Sequence, residues 1–201
     1  MSVPELNDRT IAIVQAACRV VAREGTHGLR MEAVAREAGV SKALVHYYFA
    51  TRRELLRAAF AYVDDRWRAR VADELVLAPT GADRLERFLL LYVDDEMVPG
   101  EHRAVWDEVW GTMRLDSELA PEVAAAYTRW ADWIVQLVEE GRADGSLRSE
   151  LPAHDTAQRL IAVADGMDSL RFLGLVTRER SQDLLRQSVA LERSIPVGAR
   201  R

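Results

Sequence analysis

Hydrophobic and polar positions along the chain follow a helical repeat, interrupted by short breaks rich in glycine and proline. In the first stretch, apolar residues at Ile11, Val14, Cys18 and Val21 recur every three or four positions, which is the spacing of one helix face. The same spacing continues through the rest of the chain, and no alternating pattern of strand length interrupts it. We therefore predict an all-α protein of about nine helices.

Three short elements open the chain. The first helix is predicted to end near Gly25, and a second helix, MEAVAREA, stops before Gly39, which suits the left-handed conformation after a helix. Ser41 can cap a third helix that ends around Tyr48 or Phe49, because its hydroxyl accepts from N–H groups of the first turn. A turn of three or four residues with a glycine therefore joins helices two and three. This arrangement is typical of a helix-turn-helix, whose second helix enters the major groove of DNA.

A longer fourth helix is predicted from Thr51 to about Leu75, with Leu56, Phe60 and Val63 on one face. Further breaks predict helices at roughly 82–97, 101–114, 117–142, 153–175 and 181–192. We expect a DNA-binding domain over residues 1–50 and a second helical domain over residues 51–201, with helix four connecting them.

The charge distribution agrees with that division. The whole chain of 201 residues has a net charge of −5. Residues 1–60 carry nine basic and six acidic side chains, which gives +3, and the remaining residues carry 18 basic and 26 acidic ones, which gives −8. A basic head on an acidic body favours phosphate binding by the head alone.

The segment GLRMEAVAREAGVSKALVHYYFATRRELLRAAF, residues 28–60, resembles the DNA-binding region of the TetR family of bacterial transcriptional regulators. The matching features are AGVS at 38–41, YF at 48–49, and a basic residue and ELL at the start of a long helix. The later stretches VEEGRADGSLR and AVADGMDSL resemble the C-terminal domain of the BetI-like branch. The resemblance implies a homodimer that binds an inverted-repeat operator in double-stranded DNA and responds to a small-molecule effector, most often as a repressor.

The motif and the resemblance assign DNA contacts to the start of helix two, to helix three and to the start of helix four. Arg30 occupies a position where the family has Thr or Ser, and His46 one where it often has Tyr. The predicted DNA-binding residues are Arg30, Ser41, Lys42, Leu44, His46, Tyr47, Tyr48 and Arg52.

The larger C-terminal part is expected to bind the effector and to form the dimer. Aromatic pairs three or four residues apart and two acids within an apolar stretch predict an effector pocket, for which a cation is one candidate because ring faces and carboxylates attract cations. Core packing is the alternative for each aromatic residue. The pocket candidates are Tyr92, Trp106, Trp110, Met113, Tyr127, Trp130, Trp133, Asp165, Asp168 and Phe172. The predicted dimer interface contains Gly166, Leu184, Leu185 and Val189.

Two other classes of protein are weighed against this interpretation. An all-α enzyme is disfavoured because the chain has no phosphate-binding glycine loop and no metal-spaced histidine pair, so we expect no catalytic residue, metal or cofactor. A helical small-molecule-binding protein without DNA binding would lack the basic positions that Lys42 and Arg52 retain. No apolar run of membrane-spanning length occurs, and the single cysteine fits the cytoplasm.

Overall fold

The computed structural model describes residues 8–94, 100–113, 120–148 and 151–193, with the backbone alone at residues 112 and 113. Within those ranges the chain forms nine α-helices, and its β structure is one isolated bridge between Leu147 and Arg193. The all-α prediction is confirmed. The helices are α1 (Asp8–Gly28), α2 (Met31–Ala38), α3 (Lys42–Tyr48), α4 (Arg52–Leu75), α5 (Gly81–Tyr92), α6 (Gly100–Met113), α7 (Ala120–Ala143), α8 (Ala153–Phe172) and α9 (Arg178–Ala190).

Some helix ends differ from the predicted ones. The regular part of α1 stops at Gly25 as expected. Gly25 has a non-helical backbone conformation, and one further helical turn after it extends α1 to Gly28. Helix α5 ends at Tyr92 rather than at 97, and residues 95–99 lie outside the described residues. Helix α8 ends at Phe172 rather than at 175. The N–H groups of the residues that follow turn back to carbonyls of its last turn. The N–H of Gly174, for example, donates to the carbonyl of Arg171 over 2.8 Å.

The chain divides into two compact units, which are Met1–Arg68 with Val98–Ala126, and Ala69–Met97 with Tyr127–Arg201. Helices α4 and α7 contribute residues to both units. In the first unit, α6 packs on α1 and α1 packs on α2. The predicted boundary after residue 50 divides the chain differently, into a DNA-binding and an effector-binding domain. That functional division stays a prediction.

The core of the first unit positions the helix-turn-helix. Val14 and Val20 of α1, Val34 of α2 and Val45 of α3 are all fully buried in one cluster, which Val105 of α6 joins. Each such aliphatic side chain stabilises the fold by about 1.5–3 kcal/mol when it leaves water. Cys18 lies in the same cluster, and burial raises the pKa of its thiol to about 12, so it behaves as a small apolar residue.

The second unit forms its own core, in which α9 packs on α5 and α8. Leu85, Leu89, Ile134 and Leu160 are fully buried there. Near the start of α5, Gly81 lies directly against the backbone of Gly141 in α7: a Cβ atom on Gly81 would lie 2.2 Å from the Gly141 nitrogen. The two helices therefore cross at a distance that no larger residue at position 81 permits.

Candidate DNA interface and effector-binding cluster

The turn between α2 and α3 is determined by two capping residues. Gly39 follows α2 in the left-handed conformation, at φ 68° and ψ 29°, which residues with a Cβ rarely adopt. The next N–H, of Val40, donates to the carbonyl of Ala35 over 2.9 Å and closes the helix end. Ser41 then caps α3, because its Oγ accepts from the N–H of Leu44 over 3.2 Å.

Helix α3 buries one face and exposes the other. Val45 is fully buried, and Phe49, just after the helix, is 3% exposed. Ser41, Lys42, His46 and Tyr47 are exposed, and Leu44 and Tyr48 are half-buried. The side chain of Tyr47 is 80% exposed, and its ring stands edge-on to that of Tyr48 with ring centroids 5.1 Å apart. The predicted DNA-reading side chains of α3 thus share an accessible surface, as a recognition helix requires.

Lys42 has an acidic partner on the neighbouring helix. Its Nζ donates to Oε1 of Glu32 over 2.5 Å, and both side chains are more than half exposed. The hydrogen bond from Lys42 lowers the pKa of Glu32. Since exposed ion pairs contribute only about 0–1 kcal/mol, Lys42 can exchange this carboxylate for a DNA phosphate at small cost.

Arg30 lies immediately before α2, where it makes no side-chain capping hydrogen bond. It lines a polar groove of about 340 Å³ between the end of α1 and α2. The groove is lined by Arg23, Glu24, Gly28, Arg30, Glu32, Ala33, Arg36 and Glu37. The first-turn N–H groups of a helix favour anions, so the position of Arg30 is compatible with the predicted phosphate contact.

Arg52, a predicted DNA contact, is exposed but also bonds within the protein, and its contact with DNA stays a prediction. Its Nε donates to the carbonyl of Leu29 over 2.9 Å, and its Nη2 donates to the carbonyl of Thr26. The guanidinium therefore ties the start of α4 to the last turn of α1 and to the residue that follows it. Sequence patterns cannot reveal this role, because the two acceptors are backbone groups more than twenty residues away.

The second unit brings five aromatic rings and one acid together. Tyr92 and Tyr127 both donate their hydroxyls to the carboxylate of Asp165, over 2.8 Å in the case of Tyr92. Trp130 lies 4.7 Å from the ring of Tyr92 and 5.4 Å from that of Tyr127, between centroids. Phe88 and Trp133 complete the set, which we call the aromatic–acid cluster: Phe88, Tyr92, Tyr127, Trp130, Trp133 and Asp165.

The electrostatics of the cluster are those of an acid surrounded by rings. Burial, and after it the nearby Asp165 charge, raises the pKa of Tyr92. Burial and the hydrogen bond to Asp165 also raise the pKa of Tyr127. Both phenols therefore stay protonated and donate to the carboxylate. Trp130 is only 7% exposed, and its Nε1 has no hydrogen-bond partner among the described residues.

Several predicted pocket residues do not join the cluster. Trp106 belongs to the first unit and packs edge-on against Phe60 at 4.6 Å, and Trp110 is 46% exposed. Asp168 pairs with Arg171 of its own helix at 3.7 Å, and Phe172 is 83% exposed. The side chain of Met113 lies outside the described residues.

Phe88 was missed by the sequence analysis, although it precedes Tyr92 by four residues. That spacing places the two rings on one face of α5, and it is the signal that could have found Phe88.

The dimer interface stays a prediction, but two of its four predicted residues are buried within one protomer. Leu185 and Val189 are fully buried in the core of their own unit, so they offer nothing to a second copy. The apolar stripe was read correctly, but it packs inside the unit, where α9 meets α5 and α8. Leu184 is half-buried, and a Cβ atom on Gly166 would meet no described atom within 4 Å.

No helix among the described residues is long and apolar enough to span a membrane. No group of three or more His, Cys, Asp or Glu side chains in those ranges is arranged to hold a metal ion.

A capped helix-turn-helix on one compact unit, followed in sequence by a larger helical region, defines a DNA-binding regulator. Residues 13–59 match the family described as bacterial regulatory proteins, tetR family. Residues 79–193, more than half of the chain, match the BetI-type transcriptional repressor C-terminal family. The chain therefore belongs to the TetR family of bacterial transcriptional regulators, with a C-terminal part of the BetI type, and it is not an enzyme.

Individual relatives agree with this assignment. The chain is 32% identical over 98 residues to the HTH-type transcriptional regulator BetI of Rhizobium meliloti, a match that spans 49% of this chain and only 48% of that protein. A BetI protein of Vibrio parahaemolyticus is 25% identical over 174 residues, which cover 85% of this chain and 79% of that one.

Solved structures extend the similarity to nearly the whole chain. A TetR-family regulator from Rhodococcus sp., described as putative, has a TM-score of 0.79 at 28% identity, over 92% of this chain and 99% of its own. A regulator from Saccharomonospora viridis, solved in complex with choline, also has a TM-score of 0.79, at 25% identity, over 91% and 96%.

Proposed function

We propose that this protein is a cytoplasmic, dimeric repressor that binds an inverted-repeat operator and is released by a small cationic effector. The observation that carries the DNA-binding part is the accessible face of α3, where Lys42, His46 and Tyr47 stand exposed on a helix anchored by buried Val45. A two-fold dimer presents two such helices about 34–36 Å apart, or a multiple of it, which matches successive turns of one DNA face.

The test begins with selection of genomic fragments by the purified protein, followed by footprinting. We expect protection of an inverted repeat, with an affinity that falls steeply as the salt concentration rises, because phosphate contacts release counterions. Protection of a single half-site, or of none, would contradict the proposal.

The aromatic–acid cluster supports a cationic effector. Ring faces attract cations by about 0.5–2 kcal/mol each, and the carboxylate of Asp165, which accepts from two phenols of the cluster, attracts cations as well. The unpaired Nε1 of buried Trp130 favours an effector that also carries an oxygen acceptor. Choline, present in the related Saccharomonospora viridis structure, combines a quaternary ammonium with a hydroxyl. We infer that this protein binds choline or a similar cation at this cluster.

Replacing Asp165 tests the effector proposal. We expect Asp165→Asn to weaken choline binding by about thirtyfold, since loss of one partner of a buried charge pair costs at least ~2 kcal/mol. Calorimetric titration with choline chloride measures this. Asp155→Asn removes the same charge from an exposed position of the same helix and serves as the control. Equal choline affinity of the Asp165 variant and the unmodified protein would contradict the assignment.

The second copy is proposed to pack on an exposed face of α8 and α9. The proposed surface contains Gly166 and Phe172 of α8, Leu184 of α9 and Leu191, which directly follows α9. Of these, Phe172 and Leu191 are 83% and 69% exposed. The open space above Gly166 permits close approach of a helix from the partner. This surface replaces the buried Leu185 and Val189 of the original prediction.

A charge in that face should separate the protomers. We expect Phe172→Glu to weaken dimerisation at least about tenfold, because a buried unpaired carboxylate costs more than ~1.4 kcal/mol. Sedimentation equilibrium measures the change. Leu77→Glu places the same charge on a similarly exposed leucine, 81%, in the loop between α4 and α5, and should leave the dimer intact. A fully dimeric Phe172 variant would rule out this interface.

A further inference from the structure

The last turn of α1 follows a break in the backbone at Gly25. Gly25 has φ 69° and ψ 178°, a conformation open essentially to glycine alone. The break removes the regular helical partner from the amide that follows, at Thr26. Thr26 is buried, at 3% exposure, so its N–H needs an acceptor from elsewhere in the protein.

Helix α6 supplies that acceptor. Oε2 of Glu108 accepts from the N–H of Thr26 over 2.8 Å, across 82 residues of sequence. The same carboxylate lies against Gly25, since a Cβ atom there would stand 3.1 Å from Oε2. Gly25, which has no Cβ, therefore leaves room for the Glu108 carboxylate at the break.

Helix α4 holds the same segment through the opposite charge. The carbonyl of Thr26 accepts from Nη2 of Arg52, and the carbonyl of Leu29 accepts from its Nε. An anion on α6 thus binds the N–H of Thr26, and a cation on α4 binds its C=O. Leu29 leads directly into Arg30 and α2, so the direction in which α2 and α3 leave α1 depends on these bonds.

We propose that Glu108 is a positioning residue for DNA reading: together with Arg52 it holds the joint at residues 25–29 and so orients the helix-turn-helix. This role rests on the proposed function, because it concerns how α3 meets the operator. Glu108 touches no DNA itself. Its loss should therefore affect binding to a specific site, where orientation matters, more than non-specific binding, which is mainly electrostatic.

Two substitutions of Glu108 separate positioning from mere structural support. Glu108→Ala removes the acceptor and should weaken binding to the genomic fragment selected by the unmodified protein about tenfold, the effect of losing a hydrogen bond to a charged group. Binding to a random duplex of equal length should change little. Glu108→Gln retains an acceptor oxygen and should restore most of the specific affinity. Asp107→Ala, which removes a neighbouring charge paired with Arg103 at 3.1 Å, is the matched control.

Amide hydrogen exchange at Thr26 provides a readout that does not depend on DNA. It should accelerate in Glu108→Ala and stay near the unmodified rate in Glu108→Gln. The positioning role is overturned if Glu108→Ala exchanges faster yet binds the fragment normally, if it loses specific and random-duplex binding equally, or if Glu108→Gln binds as weakly as the alanine variant. If the unmodified protein selects no fragment at all, the proposed function fails first, and that result is distinct from any effect of the variants.

Discussion

The double variant Lys42→Ala, Tyr47→Ala should bind its operator at least about a hundredfold more weakly than the unmodified protein, since each specific DNA contact is worth about 1–3 kcal/mol. The proposed dimer presents each side chain twice, so four predicted contacts disappear together. Lys42 is the first residue of α3, and Tyr47, five residues further along, is 80% exposed. Neither side chain supports the core, and the variant should therefore fold and dimerise normally.

The salt dependence gives a second, independent measure of the same change. Removing Lys42, a predicted phosphate contact, from each half of the proposed dimer should reduce the slope of log affinity against log salt by about two. Fluorescence anisotropy with a labelled operator at several salt concentrations measures both affinity and slope.

Arg186→Ala is the matched control for the loss of a cation. Arg186 is exposed on α9 and pairs with Asp183 at 2.9 Å, outside the DNA-reading unit. It should leave operator affinity and slope unchanged. Survival of the footprint in the double variant would show that α3 does not read the DNA.

Gly81→Ala adds a single methyl group, yet it should lower the free energy of unfolding by about 3 kcal/mol or more and Tm by roughly 10 °C. The added Cβ would lie 2.2 Å and 2.3 Å from the backbone nitrogen and Cα of Gly141. Backbone atoms cannot rotate away as a flexible side chain can, so α5 and α7 must separate.

That separation would also break polar contacts at the start of α5. The N–H of Gly81 donates to Asp144 over 2.6 Å, and the N–H of Ala82 donates to Ser146 over 3.0 Å. Both amides are at the helix N-terminus, where no intrahelical acceptor exists. Thermal unfolding at one fixed protein concentration measures the effect, because Tm depends on concentration in a dimer.

Gly111→Ala makes the same chemical change at an open position. A Cβ there would meet no described atom within 4 Å, and alanine favours a helix over glycine by about 0.5–1 kcal/mol. Its Tm should stay the same or rise slightly. If Gly81→Ala melts at the temperature of the unmodified protein, the close crossing of α5 and α7 is wrong.

The features of this protein that depend only on residues close together in the sequence could be predicted. Gly39 and Ser41 determine the turn before α3, because a left-handed glycine and a capping hydroxyl act within four residues of themselves. The helical repeat likewise identified the buried face of α4, where Leu56, Phe60 and Val63 lie in the core.

The same sequence patterns could not predict contacts between distant segments. The apolar stripe of α9 was visible, but a stripe has the same spacing whether it faces a partner protomer or the protein's own α5 and α8. The same limit applies to Asp165: the sequence marks a costly acid in an apolar stretch, and only the fold brings Tyr92 and Tyr127 to its two oxygens.

By itself, the sequence determined the helical class, the helix-turn-helix and the exposed face of α3, because backbone preference, capping and periodicity act over a few residues. The tertiary structure alone decided that Arg52 and Glu108 hold Thr26 from two sides, that Gly81 faces Gly141, and that Leu185 is core. Those contacts close loops of about 25 to 80 residues, and which segments meet across such a loop depends on the packing of the whole chain.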